Sequence, residues 1–456
     1  MCLLWRAFLC RKYLTIAKKL LTMPRVRYPE GKLSYNRCIR YTYLTRKLFE
    51  EVICMSIATT DVSKVRPLLL KINQGEPVES LMDGFNTALK EMEPGEMLGA
   101  IIEVKYVEKD ITIHDIKEFL DIHEHLYHKS ITDIHISKDD CHPLHVLEKE
   151  NRLLSGSLEI IGHLLECYEA GDETMVETLI AEVVRFEDIT CHFNRKEKLY
   201  FPILERRGIY TLPRKMWAQH DTIRLLLRAL RKRVEKIGDI EFRHVQKSFE
   251  DLRDACGEMM LEESYLFIPL TQSLFKEEDW SAIAAESSAF GYAIEYVGKY
   301  RKGNSCSSKQ PAPLDDTVHV QFGGGYLTAK EANLILNHLP VEITFVDRNG
   351  LFKYFNEIGE AEEMMFIRTP LSIGRNVANC HPPKSTKKVM HIIHDLKKRK
   401  KESETMWFRK KDKYVHVTYK AVYDETGDFM GILEYVQDIQ PFFELPRKVK
   451  RHSSPQ

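Results

Sequence analysis

Neither sign of charge prevails in this chain. Its 456 residues carry 67 Lys or Arg and 67 Asp or Glu, so no global field draws it toward nucleic acid. CxxC pairs are absent, and the ten cysteines have no regular spacing. They read as reduced, mostly buried thiols, which makes the cytoplasm the expected address. No G-x-x-x-x-G-K-[ST] loop occurs, and Gly323–Gly325 lacks a strand-to-helix context, so no phosphate cradle is assigned. No nucleophile–base–orienter set is legible either, so no catalytic residue is assigned.

Length alone predicts two to four domains. Hydrophobic residues at 43% and charged ones at 29% describe a soluble globular protein. The charge is unevenly spread, because residues 1–47 hold twelve Lys or Arg against the single Glu30. "MCLLWRAFLCRKYLTIAKKLLTM" is a basic amphipathic segment able to lie on an anionic membrane surface. Arg6, Arg11 and Lys12 break its apolar runs well short of the ~20 residues that a span needs. No small-residue cleavage site follows, which argues against a signal peptide. The alternatives are a poorly structured extension, or translation starting at Met23 or Met55.

Residues 1–55 are therefore set apart as a basic extension, and residues 56–136 read as a helical domain. Its third helix, "TIHDIKEFLDIHEHLYHKSI", has a cluster of His123, His125 and His128. These lack the spacing and the companion ligands of a zinc site. Residues 138–298 hold four long helical patterns, Pro143–Glu169, Glu173–Arg206, Pro213–Ile237 and Phe242–Phe275, separated by short Gly-containing breaks. Four such helices predict an up-down-up-down bundle. A Ser- and Pro-rich linker follows at 299–325. From 326 to 440 the apolar period changes to two, with turns at Asn349-Gly350 and Glu425–Gly427. This predicts an α+β module with an antiparallel sheet, and residues 441–456 form a basic tail.

Each bundle helix mixes imidazole or carboxylate with apolar residues. The first has "HPLHVLEKENRLL", with His142, His145, Glu148 and Glu150; the second has "CHFNRKEKLYFPILERRG", with His192 and Glu197. The third has His220 in "MWAQHDTIRLLL", and the fourth has Glu258, Glu262 and Glu263 in "EMMLEESYLFIPL". At about 100° per residue from His192, Ile189, Phe193 and Phe186 fall at roughly 60°, 100° and 120°, and Glu197 at roughly 140°. Both polar groups border one inward arc. Burying such groups is costly unless they pair or bind a cation. Mixed His and carboxylate ligation suits iron or manganese, while a metal-free network of ion pairs is the competing explanation.

"HPLHVLEKEN", "HFNRKEKLYFPILERRGI", "MWAQHDTIR" and "EESYLFIPL" resemble the hemerythrin-type HHE cation-binding domain. The resemblance extends to a subfamily with an N-terminal domain of unknown function 438, through "IIEVKYVEKDITIHDIKEFLDIHEHLYHKSI". "LNHLPVEITFVDRNGLFKYFNE", "GRNVANCHPPKS" and "GILEYVQDI" are similar to its C-terminal PAS domain. Together these motifs cover about residues 60–440, in the family's order. The resemblance implies a non-haem iron centre, up to a di-iron one, or manganese, and a candidate ligand set of His145, His192, Glu197, His220, Glu258 and Glu263. Helices of this family carry His-x-x-x-Glu ahead of the Phe-Pro proline. Here Lys196 stands in the Glu place before Pro202, and Met259 in the His place before Pro269. A thioether is a poor donor to hard iron, which argues against oxygen storage.

In the PAS region His381, in "NCHPPKS", is the candidate cofactor residue, as a haem ligand or within a rigid His-Pro-Pro turn. The resemblance implies a cytoplasmic sensor of oxygen, nitric oxide or redox state. The alternatives are iron handling or iron-sulfur cluster repair, and a metal-free scaffold. An unidentified signalling protein, a second copy joined through the PAS domain, and a membrane surface met by the basic N-terminus are the expected partners.

Overall fold

The computed structural model describes residues 62–81, 84, 94–108, 110–121, 141–293, 316–410 and 412–445. The basic N-terminal stretch and the cluster of His123, His125 and His128 lie outside the described residues. Three helices come first: α1 (Val62–Asn73), α2 (Pro94–Val107) and α3 (Ile113–Asp121). Their apolar residues, among them Leu69, Ile101 and Ile116, join one core with Tyr200, Phe201 and Phe267 of the bundle.

The bundle opens with α4 (Pro143–Glu169), as expected. Pro143 takes the first helical position, where its missing N–H costs nothing, and His142 Nδ1 accepts the Leu144 N–H at 3.2 Å. The second leg, expected as one helix, is segmented. α5 (Val176–Phe186) ends before a break at Glu187-Asp188; α6 (Ile189–Arg195), a π-helical turn (Lys196–Tyr200) and α7 (Phe201–Arg206) follow. Gly208, at φ 84°, closes this leg, with the Ile209 N–H on the Leu204 carbonyl and its own N–H on that of Glu205. This left-handed glycine cap satisfies two end-of-helix carbonyls.

α8 (Thr211–Val234) and α9 (Phe242–Glu262) complete the four legs, with α9 running through a second π turn (Glu263–Phe267) into α10 (Ile268–Leu274). α11 (Glu277–Glu286) then returns against the bundle. The far half of the bundle encloses a second core that includes Ile161, Phe186, Leu230 and Phe249.

Residues 319–325, expected within the linker, join residues 326–328 in a hairpin of β1 (His319–Phe322) and β2 (Gly325–Thr328). α12 (Ala329–Asn337) follows, begun by a reciprocal Thr328–Glu331 cap. The main sheet is antiparallel, in the order β4-β3-β7-β6-β5. Its strands are β3 (Glu342–Asp347), β4 (Phe352–Phe355), β5 (Ser403–Lys410), β6 (Lys413–Tyr423) and β7 (Phe429–Asp438). Both expected turns are present, with Gly350 at φ 79° and Gly427 at φ 84°. α13 (Pro383–Lys397) covers one face of the sheet, and α14 (Gln440–Phe443) ends the described chain.

Candidate functional site at the bundle centre

Two prolines shape the site. Pro202 and Pro269 sit inside helical legs, where the ring excludes the carbonyl four residues back. The preceding residue then bonds five residues back instead: the Phe201 N–H reaches the Lys196 carbonyl and the Ile268 N–H that of Glu263. These are π turns, each with one residue more than an α turn would hold. Lys196, Glu197 and Glu263 all lie in them and are all buried.

Three ion pairs meet there. Glu150 is joined to Arg195, Glu263 to Lys196, and Glu197 to Arg224 at 2.9 Å. His192 lies between the first two, with Nδ1 2.8 Å from Glu150 and Nε2 3.0 Å from Glu263. Glu150 also accepts the Ala293 N–H at 2.8 Å, and Glu263 accepts Asn151 Nδ2 at 2.9 Å. Lys196 Nζ reaches Met259 Sδ at 3.5 Å, so the two departures from the family motif are in contact. His220 Nδ1 is 2.9 Å from Glu197, and its ring lies flat on Phe193 at 4.2 Å.

Burial, aided by Lys196, pushes His192 down to about 4, and burial holds His220 well below the usual imidazole range. Both rings are therefore neutral, with one N–H each. His192 Nδ1 is paired with Glu150, and its Nε2 stands 3.0 Å from Glu263 Oε2. His220 donates from Nδ1 to Glu197, and its Nε2 is buried without a partner. Burial alone would raise Glu150, but His192 and Arg195 overcome it and hold the carboxyl at about 2. Burial also raises Glu197 against the pull of Arg224, and draws Lys196 well below its ordinary value.

Of the six residues in the expected ligand set, His192 and Glu263 meet directly, and Glu197 and His220 form a neighbouring pair. Glu258 is exposed, because it stands about 100° around the helix from the inward-facing Met259. His145 is half-buried near the start of α4, beside the ring of His142 with centroids 5.8 Å apart. Glu150, about 140° further around that helix, supplies the inward carboxylate instead. Arg195, Asn151 and Arg224 were missed. Arg195 had a signal in the run Arg195-Lys196-Glu197, three charged residues in an apolar leg that cannot all face water; Asn151 and Arg224, on other legs, had none.

This donor set does not fit a metal ion as arranged. Each of the three carboxylates already holds a protein cation. Lys196 and Glu263 are neutral as a unit whichever atom holds the shared proton, so a divalent ion would have to displace the lysine. Among the described residues no group of three or more His, Cys, Asp or Glu side chains is arranged to hold a metal.

The centre is wired to the sheet domain. Lys198 and Glu205, on the same leg, face it; Arg375 reaches Glu205 by two hydrogen bonds of 2.8 Å and the Glu197 carbonyl by one of 2.9 Å. Pro202 explains the last bond. In the π register the Glu197 carbonyl should accept from residue 202, which has no N–H, and Arg375 fills the gap. Beyond Arg375 lies a cavity of about 490 Å³ between the sheet, α13 and Lys198. His381 lines it, with Nδ1–H donating to the Val377 carbonyl at 3.0 Å and the ring held below its usual range by burial.

Among the described residues, no helix is long and apolar enough to cross a membrane. Residues 142–271 match the hemerythrin HHE cation binding domain, and residues 332–440 match a PAS domain. None of the curated proteins matches the chain. Among solved structures, a C-terminal domain from Streptococcus mutans is 52% identical over 29% of this chain and all of its own, with a TM-score of 0.28. A PAS domain from Colwellia psychrerythraea is 17% identical over 25% of this chain and 97% of its own, with a TM-score of 0.20. A sensory box sensor histidine kinase from Vibrio cholerae is 16% identical over 24% and 88%, with a TM-score of 0.19. The chain therefore joins a hemerythrin HHE cation-binding domain, residues 142–271, to a C-terminal PAS domain, residues 332–440.

Proposed function

We propose that this is a signalling protein whose PAS cavity takes a small ligand and whose hemerythrin-type bundle receives the signal without needing a resident metal. The observation that carries this is the hold of Arg375 on Glu205 and on the Glu197 carbonyl, one residue from Lys196 and its ion pair. A change in the cavity that moves Arg375 acts on the same turn that closes the bundle centre. The output then passes to a partner protein or a second copy. Hydrogen exchange on the full chain tests the coupling: Arg375→Ala should speed exchange across residues 195–206 as well as around residue 375. Faster exchange confined to the PAS side would overturn it.

A second reading keeps the metal: an iron-bearing sensor of oxygen, nitric oxide or redox state, or an iron-handling protein. The buried, unpartnered Nε2 of His220 favours it. It requires Lys196 to leave Glu263, and elemental analysis after anaerobic iron loading and desalting separates the two. Stoichiometric retained iron supports this second reading, and trace iron supports the first.

A further inference from the structure

Resting on that reading of the PAS cavity, we propose that its ligand is an apolar monocarboxylate whose head is held by Lys198 of the bundle. The cavity's volume of about 490 Å³ is ordinary for a small-molecule site. Its sheet wall is built from alternate residues of neighbouring strands, including Val346, Ile432, Val417 and Met406, and α13 adds Ile392 and Ile393. An apolar body fits between them.

The charged groups of the lining decide what the head must be. Lys198, Arg368, Arg375 and Lys388 face a single acid, Glu434. Arg368 is occupied by Glu342 at 2.7 Å and by Glu434 at 3.4 Å, and Arg375 by Glu205. Lys388 is exposed at the rim. Lys198 is different. It is half-buried, it lies over the Trp217 ring at 5.1 Å, and its hydrogen-bond partner is the Cys380 carbonyl at a long 3.5 Å. Among the described residues no carboxylate lies within 4 Å of it. A cation held in a largely apolar cavity without an acid is a site for one negative charge. The buried Oγ1 of Thr344 on β3 has no hydrogen-bond partner, and Thr344 also lines the cavity, where it offers a hydrogen bond to a polar atom of the ligand body.

Because Lys198 belongs to the bundle and the rest of the lining to the PAS domain, such a ligand would bridge them. Its carboxylate would sit one residue along the chain from Glu197 and its ion pair.

The test titrates the full-length protein with decanoate and with decanol, which share a chain length and differ in the head. Calorimetry and the melting temperature are the readouts. Decanoate is expected to bind about tenfold more tightly, the value of one charge-assisted hydrogen bond in a desolvated site. Lys198→Met should reduce decanoate to the level of decanol and leave decanol unchanged, whereas Lys198→Arg should keep the preference. Ile392→Trp, which fills the cavity without touching the head site, should weaken both, so the assignment does not depend on one variant folding. Equal binding of the two heads, binding of neither, or a preference that survives Lys198→Met would overturn the proposal. So would haemin binding with a Soret shift lost in His381→Ala, which would assign the cavity to an axially ligated cofactor. The exchange experiment on Arg375→Ala needs no ligand, so coupling and head-group choice fail separately.

Discussion

Arg375 and Glu205 meet fork to fork, Nε on Oε2 and Nη2 on Oε1, both at 2.8 Å and both buried, across 170 residues of sequence. Removing the guanidinium leaves a buried carboxylate unpaired and the Glu197 carbonyl without a donor. Arg375→Ala should cost about 3–5 kcal/mol in a urea melt. Arg375→Lys should recover only part, because an ammonium cannot reproduce the planar two-point grip. A loss below about 1 kcal/mol would mean that the contact is not held in solution.

Lys196→Met should destabilise the bundle by about 3–5 kcal/mol, since it strands Glu263 in a dry interior. Replacing both departures from the family motif, Lys196→Glu with Met259→His, should instead create a site that retains iron after desalting. Elemental analysis reads this directly. A double variant that folds and stays metal-free would show that more than these two positions closes the centre.

Acid should loosen the bundle in a defined window. The folded pKa of His192 is lowered from 6.5 to about 4, so the unfolded chain binds the extra proton between those values. Its contribution to stability is present above about 6.5 and is lost as pH falls toward about 4. Glu150, lowered from 4.5 to about 2, adds a second loss of the same sign at lower pH. Urea midpoints at pH 7 and pH 5 should fall for the native protein and fall less for His192→Gln. Identical pH dependence in the two would remove His192 as the source.

Gly431 should resist substitution. It pairs with Asp347 on β3, and a Cβ there would lie 2.2 Å from the Val346 carbonyl oxygen and 2.8 Å from the Phe345 ring. The Phe345 ring can turn aside, but the Val346 carbonyl cannot retreat without disturbing the β3–β7 ladder. Gly431→Ala should therefore lower the PAS transition by several degrees or more, which a melt followed by near-UV circular dichroism reads. An unchanged transition would show that the strand end yields.

Local chemistry made most of the fold legible. The periods of the four legs, Pro143 at a helix start, Gly208 at a helix end and the Gly350 and Gly427 turns are all visible in short windows of sequence. The linker reading missed the strand residues at 319–325, because a hairpin of four-residue strands has too few residues to show a period. At the site, the wheel through His192 and Glu197 correctly placed both inside. It could not foresee that a π turn separates their partners, since the extra residue arises from Pro202 acting on the backbone behind it. Arg375 had no local signal at all. Its role depends on which side chains a distant domain brings to a carbonyl that lacks a donor.

That carbonyl has a consequence of its own. Glu197 faces two ways, with its carboxylate in the bundle centre and its backbone oxygen turned to the PAS domain. If the turn at Lys196–Tyr200 tightened to α geometry, the Phe201 N–H would pass from the Lys196 oxygen to that of Glu197 and compete there with Arg375. Pro202 stands against that change, because α geometry would press its ring on the Lys198 carbonyl. The proline that opens the turn thus leaves the Glu197 oxygen to Arg375, and helix register and domain contact meet at one acceptor.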